Sequence, residues 1–216
     1  MKINTVKFLA ISDTHGRPLP NIDSDTDGIL CAGDFCNYEE EANILFGSIA
    51  NMNIPLFFVT GNHESIRIAN MLTTKHNIFC LDCKQKSFRN MILTGVQGYD
   101  IFDSEREKRL EYFAMQTKKE NKDSERFSVF ISHEPPFPWR HECRIKGSEG
   151  VKNVIKSGKY NLVLSGHFHE EKMRTESDSQ IVPVAIPGNG GIYIEINKEN
   201  KEYSIRDAFR FDSPLY

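Results

Sequence analysis

Five short stretches of this chain set Asp, Asn or His at the end of an apolar run: Ser12-Asp13-Thr14-His15-Gly16, Gly33-Asp34, Gly61-Asn62-His63-Glu64, His133 and Gly166-His167-Phe168-His169. Seven of these side chains, Asp13, His15, Asp34, Asn62, His133, His167 and His169, form a mixed set of carboxylate, amide and imidazole donors. Such a set suits divalent first-row ions (manganese, iron, zinc, cobalt or nickel) over calcium, which takes an all-oxygen shell. The mixture is large enough for two ions. One carboxylate can bridge a pair, and Asp34, alone after its apolar run, is the natural candidate. Gly33, Gly61 and Gly166 beside these donors would let the backbone turn sharply and approach the ions closely. A single His after a strand is usually a capping or core residue, so the ordered set carries the inference and no one member does.

These donors need elements to hold them. Val6 to Ile11, Gly28 to Ala32, Pro55 to Thr60, Phe127 to Ser132 and Leu162 to Ser165 are short runs rich in β-branched and aromatic residues, and read as buried strands. Tyr38 to Met52 carries Ala42, Leu45, Phe46, Ile49 and Ala50 as a one-sided stripe and reads as an amphipathic helix. Glu64 to Leu72 and Glu149 to Lys156 are shorter helical candidates. Asp103 to Lys122 reads as a charged surface helix turning Leu110, Phe113 and Ala114 inward, its charges forming a solvated face. Buried strands alternating with helices imply an α/β core whose ligands collect beyond the carboxyl ends of the strands. All five polar clusters would then meet at one edge. Ile181 to Ile186, Gly191 to Ile196 and Tyr203 to Phe209 read as strands of a closing β-meander, which makes the architecture a two-sheet sandwich flanked by helices. No repeat or linker divides the chain, so residues 1–216 are expected to form one domain.

The ordered motifs D-x-H, G-D, G-N-H-[DE], a lone His and G-H-x-H resemble those of the calcineurin-like metallophosphoesterases, and the resemblance runs from Asp13 to His169. It implies the four-layer α/β/β/α fold. It further implies that Asp13, His15 and His169 hold one metal, that Asn62, His133 and His167 hold the other, that Asp34 bridges them, and that His63 is the catalytic histidine. Two ions roughly 3.5–4 Å apart polarise phosphoryl oxygens and lower the pKa of a bridging water toward neutrality, so that hydroxide attacks phosphorus in line. Negative charge then grows on the departing alkoxide. An imidazole titrates near working pH, which suits His63 to protonate that oxygen as a general acid. Asp34 or Glu64 is the carboxylate expected to hold the imidazole protonated. Manganese is the ion of first choice.

The chain has 216 residues, 39% hydrophobic and 26% charged, which describes a folded protein and excludes disordered or fibrous classes. A formal charge of -3 gives no basic footprint for an extended nucleic acid, so the expected partner is a small phosphate ester such as a nucleotide. The first apolar run is too short for a signal peptide or membrane span, and five cysteines without secretory context read as free thiols; both place the protein in the cytoplasm. Cys80 and Cys83 form one C-x-x-C pair with no second pair, a weak signal for zinc or redox chemistry. Trp139, Arg140 and His141 sit in a proline-rich segment beside the expected metals and are candidates to frame a pocket, but packing of Trp139 and solvation of the cations are the more ordinary account. The motifs specify the reaction and leave the substrate open. The minimal chain is most similar to the family's small phosphodiesterases, with phosphomonoesterase or nucleotide pyrophosphatase activity, a non-catalytic metal-binding scaffold and a nuclease as alternatives. Pro187-Gly188-Asn189-Gly190 departs from the N-P-G-S segment of many small members.

Overall fold

Strands β1 (Thr5–Ile11), β2 (Gly28–Cys31) and β3 (Leu56–Phe58) are buried along almost their whole length, because both faces of the sheet they form are covered. A computed structural model describes residues 4–98, 104–121, 125–136, 139–141, 144–167, 184–188 and 190–211. In it β1, β2, β3 and β4 (Ile78–Cys80) run parallel in a six-stranded sheet. Strands β12 (Gly190–Asn197) and β13 (Glu202–Arg210) complete that sheet antiparallel, in the order β13-β12-β1-β2-β3-β4. The second sheet has five strands in the order β11-β10-β7-β6-β5: β5 (Lys84–Phe88), β6 (Met91–Val96), β7 (Phe127–Ser132), β10 (Leu162–Ser165) and β11 (Val184–Ala185). Strands β8 (Trp139–His141) and β9 (Arg144–Lys146) form a separate hairpin.

The period-two alternation of each strand sorts its side chains between two cores. Val6, Phe8 and Ala10 of β1 meet Leu93 of β6, Val129 and Ile131 of β7 and Leu164 of β10 between the sheets. Leu9 and Ile11 point the other way, onto Ala42, Leu45, Phe46 and Ile49 of helix α1 (Glu39–Asn51) and Ile68, Ala69 and Leu72 of α2 (Ile66–Leu72). On the far side, Phe130 and Val163 pack against Leu110 and Ala114 of α3 (Ser104–Asn121) and Val151, Val154 and Ile155 of α4 (Glu149–Lys156). The result is the four-layer α/β/β/α arrangement. Phe113 is only partly buried against this third core. Helix starts follow local chemistry: Ser65 caps α2 by accepting from the Ile68 N–H at 3.4 Å, and Ser148 caps α4 by accepting from that of Val151 at 3.1 Å.

One expectation requires correction. The three final runs do not form a meander, because β11 pairs parallel with β10 in the second sheet while β12 and β13 form a hairpin against β1 in the first. The segment after β10 therefore contributes to both sheets, and β12 supplies the neighbour that covers the open edge of β1. Strands β4, β5 and β6 add to the strands read from the apolar runs. Among the described residues no helix is long and apolar enough to cross a membrane.

Candidate metal centre

The carboxyl ends of β1, β2 and β3 in one sheet and of β7 and β10 in the other converge. Each chain leaves its strand through a turn that sends a polar side chain inward. Asp13, His15, Asp34 and His167 all adopt positive φ (53°, 45°, 50° and 74°), a region that costs a non-glycine residue energy and collects at functional sites. Backbone bonds hold these turns side by side: Asp13 N–H to Gly33 C=O at 2.9 Å, and His15 N–H to Asp34 C=O at 3.0 Å. Two more bonds join the sheets. His167 N–H donates to Asp13 Oδ2 at 2.9 Å, and the His133 Nδ1–H donates to Ala32 C=O at 2.7 Å.

Glycine is required where these loops touch. Gly33 has φ +92°, and a Cβ there would lie 2.6 Å from the Gly61 nitrogen and 2.7 Å from His133 Nδ1. At Gly61 a Cβ would sit 2.0 Å from Asp34 Oδ1.

Among the described residues two groups of potential ligands result, and Asp34 belongs to both. Asp13, His15 and Asp34 bring one donor atom each within 4.8 Å of one another, as do Asp34, His133 and His167. In the second group the bond from Nδ1 to Ala32 directs His133 Nε2 inward, where it meets Asn62 Oδ1 at 3.0 Å, His167 Nδ1 at 3.1 Å and Asp34 Oδ2 at 3.3 Å. In the first, the His15 Nδ1–H faces Asn37 Oδ1 at 3.3 Å, which makes Nε2 the inward nitrogen. Asp13, Asp34 and His133 are buried, and His167 is half-buried. His169 lies outside the described residues.

The electrostatics of the cluster call for positive charge. Burial alone would drive the His133 imidazole toward its neutral form, yet the Asp34 carboxylate outweighs it and pushes the imidazole up to about 10. The same pair holds Asp34 well below the ordinary carboxylate range against the opposing push of burial. Buried carboxylates beside inward-facing imidazole nitrogens are a donor set suited to divalent cations, so the residues present fit the metals expected here.

His63 follows Asn62 without joining either group. Its backbone N–H donates to Asp34 Oδ1 at 3.0 Å, and its exposed imidazole lies edge-on to His15 with ring centroids 4.9 Å apart. Its Nε2 is 3.8 Å from Asp34 Oδ2. Of the two carboxylates considered for His63, Glu64 is committed elsewhere: Oε2 accepts from Gly61 N–H at 2.7 Å and Asp34 N–H at 3.0 Å, and Oε1 accepts from Cys36 N–H at 3.0 Å. Burial, and then the charge of Asp34, push the Glu64 carboxyl up to about 7.

Several supporting residues were not anticipated. The Ser12 hydroxyl donates to Asp13 Oδ2, which with the His167 N–H fixes that carboxylate's rotation. The Arg17 guanidinium donates to Thr14 C=O at 3.1 Å and Gly188 C=O at 2.6 Å and covers the Phe211 ring at 3.9 Å, tying the β1 turn to the segment before β12. Glu134, buried next to His133, lies 3.7 Å from His167 Nε2. All are polar neighbours of the motif residues, and that adjacency was the only signal the sequence offered. Cys36 is buried and its thiol is pushed far up by burial, which makes it a poor target for oxidation. Cys80 is half-buried, and its thiol is pushed up to about 12, chiefly by burial.

The calcineurin-like phosphoesterase family model matches residues 6–171. No curated protein sequence matches the chain. Among solved structures, TT1561 of Thermus thermophilus superposes with a TM-score of 0.67 at 17% identity, over 94% of this chain and 99% of that one. A Staphylococcus aureus protein, provisionally a 5'-nucleotidase and bound to alpha-ketoglutarate, gives 0.63 at 14% identity over 98% of this chain and 55% of its own length. The phosphopantetheinyl hydrolase PptH of Mycobacterium tuberculosis gives 0.53 at 13% identity over 99% and 98%. At these identities the likeness is one of fold.

Proposed function

Because the chain belongs to the calcineurin-like phosphoesterase family, which hydrolyses phosphate esters with the help of metal, we propose that it is a phosphodiesterase with a dinuclear centre and a small substrate. Asp13, His15 and His169 would hold one ion and Asn62, His133 and His167 the other, with Asp34 within reach of both. The observation that supports this most directly is the sharing of Asp34 by two three-residue donor groups. Manganese fits the mixed oxygen and imidazole set. When bound, such ions polarise phosphoryl oxygens and provide a nucleophile near neutral pH.

The chain's own residues do the rest. His63 is exposed at the rim, where it meets the leaving group and donates a proton to the departing oxygen. Asp34 accepts the His63 backbone N–H at 3.0 Å and so positions the residue beside the donor groups. Glu64 keeps the β2 and β3 turns together, so that Asp34 and Asn62 present their oxygens to one space.

Solved neighbours named for 5'-nucleotide and phosphopantetheinyl substrates accord with a small phosphorylated compound, and the acidic net charge disfavours a nucleic-acid track. Among the described residues, Cys31, Cys36 and Cys80 are free thiols, which accords with a cytoplasmic setting.

The test is to strip the protein of metal, reload it with manganese, zinc or nickel, and compare matched monoester and diester substrates while counting bound ions. Diester turnover that saturates at two ions per chain supports the proposal. Full activity with one ion, or a marked monoester preference, rejects it. Varying the salt separates the nuclease alternative: turnover of a small diester should change little, whereas cleavage of nucleic acid would fall steeply.

A further inference from the structure

The two sheets end on the same side in short strands, β4 and β5, each the last strand of its sheet. Between these edges lies an open groove of about 400 Å³, lined by Thr73 to His76 after α2, by β4, and by Lys84, Gln85 and Lys86 of β5. Ile78 and Leu81 are buried in its floor, and Phe79 is half-buried, stacked on Phe57 at 5.3 Å and covered by Lys86 Nζ at 3.9 Å. Lys75, His76, Lys84 and Lys86 all face this groove, and no Asp or Glu lines it. Among the described residues none of the four makes an ion pair, in a chain whose net charge is -3.

A lysine or two on an edge strand is ordinary protection against sheet-to-sheet pairing. Here cations from two separate segments converge on one concavity of ligand size instead. Such a groove offers two things together: positive charge without a counter-ion, and the outer backbone edges of strands that pair on one side only. A compact anion uses the first alone. An extended acidic peptide uses both, by adding as a strand while its carboxylates meet the lysines. We propose that this groove, which none of the metal donors lines, docks an acidic, extended segment of a protein partner.

The test uses the full chain and a fluorescent peptide alternating Glu and Val, with binding read by anisotropy. The peptide should bind, and Lys84→Glu with Lys86→Glu should weaken it about tenfold or more while leaving the melting temperature unchanged. A peptide of equal charge, N-methylated at alternate residues, should bind similarly poorly, since it cannot pair along a strand. Lys75→Glu, outside both strands, should also weaken binding if the loop contributes as argued. Equal binding by the methylated peptide, complete displacement by tripolyphosphate at matched charge, or indifference to the lysine substitutions would overturn the proposal.

Discussion

At the scale of single residues, His63 and Glu64 are neighbours with opposite tasks. His63 projects its imidazole to the rim. Replacing it by Ala should therefore leave metal content intact and slow turnover by about 10²- to 10⁴-fold, most for substrates with poor leaving groups. A rate series across leaving groups checks this, and an equal loss for all of them would contradict a proton donor. Glu64 instead accepts three backbone N–H groups from the turns after β2 and β3. Glu64→Ala would strand those donors and should destabilise the fold by roughly 3 kcal/mol or more, read by denaturant unfolding, with metal content falling as the turns separate. Glu64→Gln, which keeps an acceptor oxygen, should recover part of the loss. The G-N-H-E motif announced a site here, but nothing in it said that the Glu serves the backbone and not the imidazole. That assignment depends on the turn after β2 lying beside the turn after β3.

At the scale of elements, the strands that deliver donors were legible because each is an apolar run ending in a polar residue. Strands β7 and β10 and helix α4 occupy the expected residues to the end. Strand β6 has an equally apolar run, but it leads to Gly95-Val96-Gln97-Gly98, with no donor to draw notice. Strand β5, Lys-Gln-Lys-Ser-Phe, is an edge strand with one face in solvent, so its composition hides it. Helix α4 is short and depends on its cap and on its packing against the second sheet. Ser148→Ala should cost about 1 kcal/mol, lowering the melting temperature without changing the metal site. An unchanged melting temperature would mean that packing alone holds the helix.

At the scale of the whole molecule, the end opposite the metal centre is held by charge. Lys7 of β1 is almost fully buried and is paired with Asp23 and Asp25, and Asp23 also pairs with Arg206 of β13 at 2.7 Å. The hydrogen bond from Lys7, then that from Arg206, lowers the Asp23 carboxyl to about 2, and Lys7 likewise lowers that of Asp25. Carboxyls depressed in the folded state contribute stability that is present above their unfolded pKa, near 3.9, and lost as pH falls toward the folded value. The melting temperature should therefore drop between about pH 4 and pH 2, and Lys7→Met should flatten that drop. Parallel curves for the two proteins would remove the cluster from the account of acid stability.

From the residues alone came the kinds of donor, their order along the chain and the alternation that makes strands run into polar turns, because those are properties of local composition and period. Only the tertiary structure decided which strands became neighbours, since pairing β12 with β1 and β11 with β10 satisfies backbone groups far apart in sequence. It alone brought Asp34 into reach of both donor groups, which requires the two sheets to pack face to face, and gave Glu64 its three N–H partners, which requires β3 to pair beside β2.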